Sequence, residues 1–119
     1  MKDSPLKQKS MDFAVRIVKL NHWLLNEKRE YSIADQLLRS GTSIGANLAE
    51  AEFASSKKDF LSKCKIALKE CSETRFWLAL LRRCDILSET QQTSILNECE
   101  ELLKMLAASC RTLEERISE

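Results

Sequence analysis

Apolar residues recur at helical spacing through Ile33, Leu37, Ile44, Leu48 and Ala51, and the chain's only two glycines, Gly41 and Gly45, fall inside that run. At about 100° per residue the apolar positions share one side of a single helix. Ala34, Gly41, Gly45 and Ala49 lie beside them as a small-residue seam along which a neighbouring helix can approach closely. Glycines four apart pack helices this way inside membranes, but this segment is too polar to span one. A helical glycine costs roughly 1 kcal/mol against alanine, so two in one helix point to close backbone packing that outweighs the cost. Across the helix, Gln36, Arg39, Ser43, Asn47 and Glu50 form a polar stripe. Such a stripe is either a solvated face or a set of groups that satisfy one another at a helix or subunit contact. Arg39 and Glu50 stand about 16 Å apart along the axis, so they meet only between chains or through Ser43 or Asn47.

The rest of the chain repeats the helical period. One proline, two glycines and 6% aromatics argue against an all-β fold, which needs turns and β-branched or aromatic strands. With 119 residues, 44% hydrophobic and 31% charged, the chain reads as one domain with a real core and a well-solvated surface. Residues 1–9 are polar and read as a flexible tail. Helices are predicted over 10–28, 32–54, 56–84 and 88–117. Ser32 with Asp35, Ser56 with Asp59, and the capping box Ser88-Glu89-Thr90-Gln91 mark three of the starts. Four long helices with short breaks specify an all-α, antiparallel up-down-up-down four-helix bundle.

Within the first helix Phe13, Ile17, Leu20 and Leu24 line one edge of the apolar arc, and Met11, Val18 and Leu25 the other. Asn21 lies between them and needs a hydrogen-bond partner if buried. Trp23 points the opposite way, among Asp12, Arg16 and Lys19, as contact anchors often do. The third helix has a core stripe of Phe60, Cys64, Ala67, Cys71, Thr74, Leu78 and Leu81. Nearly opposite run Ile66, Glu70, Glu73, Trp77, Leu80 and Cys84, and a helix with one buried face would not ordinarily put Ile, Trp and Leu on its other face. Ile66, Trp77 and Leu80 therefore meet a second buried surface, either another helix of the chain or another subunit; with Trp23 they are expected at a subunit contact. The fourth helix carries Ile95, Cys99, Leu102, Leu106, Leu113 and Ile117 along one stripe, with Leu96, Leu103 and Cys110 alongside, and turns acids outward.

Catalytic signals are missing. His22 is the only histidine and has no nucleophile that spacing places beside it. Five cysteines without a C-x-x-C pair give no metal-type spacing and read as small buried hydrophobes in a reducing cytosol. Gly41 and Gly45 are not a phosphate loop, since no Gly-Lys-Ser/Thr follows. The expectation is a non-enzyme with no metal and no cofactor. No apolar run reaches the roughly 20 residues that cross a bilayer, and the N-terminus has no apolar signal core, so a cytoplasmic protein without a membrane role is expected.

The net charge of +1 hides an asymmetry: residues 1–84 hold 16 Lys/Arg against 10 Asp/Glu, and residues 85–119 hold 3 against 8. On the third helix Lys58, Lys65, Lys69 and Arg83 form a basic ridge with Phe76 interleaved, flanked by Lys57, Arg75 and Arg82. Cations so spaced can hold the phosphates of RNA or DNA, or simply keep a helix face wet. The near-neutral pI of about 7.6 and the acidic fourth helix suit the second option, a protein-interaction scaffold.

The run Gln36-Leu-Leu-Arg-Ser-Gly-Thr-Ser-Ile-Gly-Ala-Asn-Leu-Ala-Glu-Ala51 closely resembles the signature of the four-helix-bundle 23S rRNA intervening-sequence proteins. Ser56-Lys-Lys-Asp-Phe-Leu and Ile66-Ala-Leu-Lys-Glu-Cys-Ser-Glu-Thr-Arg-Phe-Trp-Leu-Ala-Leu-Leu81 look like the same family's third helix. Ala51 departs from the pattern, which carries glycine there. The resemblance implies a small bacterial cytoplasmic protein, a homopentameric ring of bundles, and no catalytic residue. A similar form in the accessory variability protein of diversity-generating retroelements implies binding of nucleic acid and a protein partner through a positive surface. The positions matching the family motif are Gln36, Arg39, Ser43, Asn47 and Glu50.

Overall fold

A computed structural model describes residues 4–119. It contains α1 (Pro5–Asn26), α2 (Ser32–Ala51), α3 (Lys57–Arg83) and α4 (Glu89–Ser118), with no strand among the described residues. The four-helix bundle read from the sequence is the fold. Neighbours in sequence are neighbours in space, and α4 returns to pack on α1, so α1 and α3, like α2 and α4, sit on the diagonals of a 50 × 22 × 21 Å rod.

Cross-helix pairs fix an antiparallel register at every seam. Asn21 Nδ2 donates to the Ala34 carbonyl at 3.0 Å between α1 and α2, giving the buried amide the partner it requires. Thr74 Oγ1 donates to Ser40 Oγ at 2.9 Å between α2 and α3, both side chains fully buried. The Cys71 and Cys99 sulfurs meet at 3.9 Å between α3 and α4, and Arg16 reaches Glu98 at 2.7 Å between α1 and α4. The core between them holds Phe13, Ile17, Leu24, Leu37, Ile44, Leu48, Leu78, Leu81, Leu102 and Leu106.

The helix ends follow local chemistry. The expected tail is helical from Pro5 onward: Ser4 Oγ accepts from the Lys7 amide at 3.1 Å, and Pro5 at the first helical position is already set at a helical φ. Residues 1–3 of that tail lie outside the described residues. Ser32 opens α2 but does not cap it; Glu30 Oε1 accepts from the Ile33 amide at 2.8 Å in its place. Ser56 caps α3, and the Ser88/Gln91 capping box is complete in both directions at the start of α4. Because both glycines are committed to α2, the turns after α1 and α3 place Arg29 (φ 51°) and Asp85 (φ 60°) in the left-handed region.

Candidate nucleic-acid interface

The seam of small residues is a contact with α1, and its two glycines differ. A Cβ on Gly41 would stand 2.8 Å from Ile17 Cγ1 and Cγ2, whereas one on Gly45 would stand 3.4 Å from Ser10 Oγ. Ala49 lies outside the tight contact. It is exposed and lines, with Met11, Ala14, Thr42, Gly45 and Ala46, a groove of about 340 Å³ on the outer side of α1 and α2. Met11 is 65% exposed and Val18 36%, so the apolar arc of α1 is narrower than its periodicity suggests.

The polar stripe of α2 is tied to α3 of the same chain. Arg39 pairs with Glu70 at 2.9 Å and with Glu73, and Glu50 lies 3.7 Å from Lys63. Arg39 and Glu50 thus take separate partners, and neither needs the other. Ser43 and Asn47 donate back to the Arg39 and Ser43 carbonyls at 2.6 and 2.8 Å. Gln36 is exposed, with its Oε1 3.5 Å from Arg39 Nε. The Trp77 indole and then Arg39 hold the Glu73 carboxyl below the usual carboxylate range, and hydrogen bonding to Glu73 raises the Arg39 guanidinium.

Residues expected at a subunit contact separate into two groups. Trp77 packs against the core of its own chain, with Nε1 donating to Glu73 at 2.9 Å. Trp23 also packs against that core, with Lys28 Nζ 5.6 Å from its ring centroid, so it does not stand isolated on the surface. Ile66 stays 39% exposed and Leu80 is partly exposed.

The outward arc of α3 carries the ridge. Lys58, Lys65, Lys69 and Arg83 are exposed there, and Arg75 is exposed on the flank. Helical spacing puts all three acids of α3 on the side toward α2. Glu70 and Glu73 are taken by Arg39, and Asp59 Oδ2 accepts from the Ser55 amide at 3.0 Å. Among the described residues Lys65 pairs with Glu114 at 3.1 Å and Arg82 with Asp85 at 3.4 Å, while Lys58, Lys69 and Arg83 make no ion pair. Phe76 stands 58% exposed in the same arc.

Other chemistry-bearing groups are dispersed. His22 is exposed, and no three His, Cys, Asp or Glu side chains cluster among the described residues. Four cysteines are buried, as small core side chains; Cys84 is exposed. Sequence reasoning did not single out Phe53, which is 87% exposed beside a cleft of about 750 Å³ lined by Ala51, Ala54, Phe60 and Leu113. No residue spacing reveals that cleft, because it forms where the turn after α2 meets the far end of α4. No helix is long and apolar enough to cross a membrane among the described residues.

Comparison with known proteins agrees with this architecture. A solved protein of unknown function from the S23 ribosomal protein family of Bacteroides thetaiotaomicron VPI-5482 is similar at 50% identity and a TM-score of 0.87. The match covers 88% of this chain and 97% of that one. No curated protein matches the chain. The family model of the 23S rRNA-intervening sequence protein matches residues 2–108. The chain is a member of that family.

Proposed function

We propose that the protein is a non-enzymatic, self-assembling accessory protein that binds nucleic acid through the outward face of α3. The observation that carries the reading is the separation of charge on that helix. Its acids turn toward α2 and are neutralised or used as caps, leaving Lys58, Lys69 and Arg83 unpaired on an arc without an acid. Cations in such a row bind phosphates without regard to sequence, and the binding weakens with salt because counterions are released. Repeating the ridge around a ring of five, as the family resemblance implies, multiplies the field that each copy contributes. The exposed Met11, Val15 and Val18, spaced four and three apart beside the groove of α1 and α2, support self-assembly.

Binding of labelled RNA and DNA across a salt series tests this. The expected result is an affinity that falls linearly on logarithmic axes, with Lys69→Glu/Arg83→Glu lowering it at least about tenfold and flattening the slope by about 2. Absence of any salt-dependent binding leaves the second reading, a protein-interaction scaffold using the apolar groove. Light scattering behind a sizing column measures assembly: a mass five times the 13.7 kDa chain supports the ring, and a monomer removes it.

A further inference from the structure

The cationic row on α3 is interrupted by one aromatic ring. Phe76 follows Lys69 by seven residues and precedes Arg83 by seven, so about 10.5 Å of helix separates the ring from each cation. More than half of its surface, 58%, is open to solvent. The ring is also held in place: Trp77 meets it edge-on at 5.1 Å between centroids and 72° between planes. Trp77 is itself anchored by the core and by Glu73, which Arg39 grips from α2. A large apolar side chain, fixed yet uncovered among cations, contributes little to this fold.

Cations alone do not favour single strands over duplexes, since the duplex carries the denser row of phosphates. An exposed ring does. Bases within a duplex are stacked on one another, whereas an unpaired base presents a free π-face to an aromatic platform flanked by phosphate-binding cations. We infer that Phe76 is a stacking platform for one unpaired base, which makes single-stranded nucleic acid, such as a loop or an unpaired end, the preferred ligand of this face. This rests on the phosphate-binding reading of α3 given above.

The test compares a labelled single-stranded RNA with the same RNA annealed to its complement, for the full-length protein, Phe76→Leu and Phe76→Trp. The expected result is tighter binding of the single strand. Phe76→Leu should weaken that binding roughly 5- to 150-fold without changing the duplex affinity or the salt slope, and Phe76→Trp should restore it. Because Phe76 is exposed, an unchanged melting curve for both variants is expected to exclude loss of fold. In a Trp23→Phe background the remaining Trp77 reports directly: its emission should change when a base stacks on the neighbouring ring, and should stop responding in Phe76→Leu. Equal affinity for both RNAs, unaltered in Phe76→Leu, overturns the stacking role and leaves the phosphate reading intact. Failure of both RNAs to bind at any salt overturns the two together.

Discussion

Gly41 and Gly45 look equivalent in the sequence and are not. A methyl group at Gly41 would meet two carbons of Ile17, a β-branched side chain in the centre of the core with no room to withdraw. At Gly45 the same methyl makes an ordinary contact with Ser10. Gly41→Ala should therefore destabilise by about 1–3 kcal/mol through overpacking, less what is gained in helix propensity. Gly45→Ala should be neutral or stabilising by up to about 1 kcal/mol. Urea denaturation of the two variants measures both, and equal behaviour would contradict the packing described. The requirement that Asn21 find a partner was readable, but the Ala34 carbonyl that meets it was not, since that pairing depends on the register of α1 on α2.

At the level of elements, the polar stripe of α2 works as a strap onto α3. Its strongest member is the cluster of Arg39, Glu70, Glu73 and Trp77. Glu73 is lowered first by the Trp77 indole and second by Arg39. A carboxyl depressed in the folded state stabilises fully above its unfolded value, about 4.3, and that stability is lost as pH falls through the lower folded value. Thermal unfolding below about pH 4 should thus drop more steeply for the parent chain than for Glu73→Gln, by about 1 kcal/mol or less given how exposed the pair is. By the same exposure Glu50→Ala should change stability by less than about 1 kcal/mol, since the carboxyl is 61% exposed and stands 3.7 Å from Lys63. The strap therefore rests on Arg39 rather than on Glu50.

Across the whole molecule, charge alternates around the bundle. α1 and α3 are basic, α2 and α4 acidic, and like-charged helices occupy the diagonals. The asymmetry between the two ends of the sequence is thus spent partly inside the fold, through Lys9 to Glu101, Arg16 to Glu98 and Lys65 to Glu114. What remains outward on α3 is exposed and, at Lys58, Lys69 and Arg83, makes no ion pair among the described residues. The α3–α4 seam is lined by four buried thiols. Burial, and then Cys110, push the Cys64 thiol up to about 11, and a hydrogen bond with Cys71 followed by burial raises Cys99 further. Near pH 8 a thiol reagent should label the exposed Cys84 quickly and the other four only at the rate of global unfolding. Rapid labelling of more than one cysteine would show that α3 and α4 separate without unfolding the rest.

Local patterning in the chain was enough to set the four helices, their order and most of their core faces. A period of 3.6 residues, cap residues and the scarcity of glycine and proline act within a few residues of chain. Cys64, Cys71, Thr74 and Leu78 were legible for that reason. The basic ridge was legible too, because a helix face is a local property. Which partner each face meets was settled by the packing of the folded bundle. It sent Arg39 and Glu50 to α3, seated Trp77 and Trp23 on their own core, and left Met11 and Phe53 in the open. Those outcomes depend on axial register between helices far apart in the chain, and register is set by close contacts such as Ile17 against Gly41 and Thr74 against Ser40. A helical period fixes a residue's angle around its own helix and says nothing of its height against a neighbour.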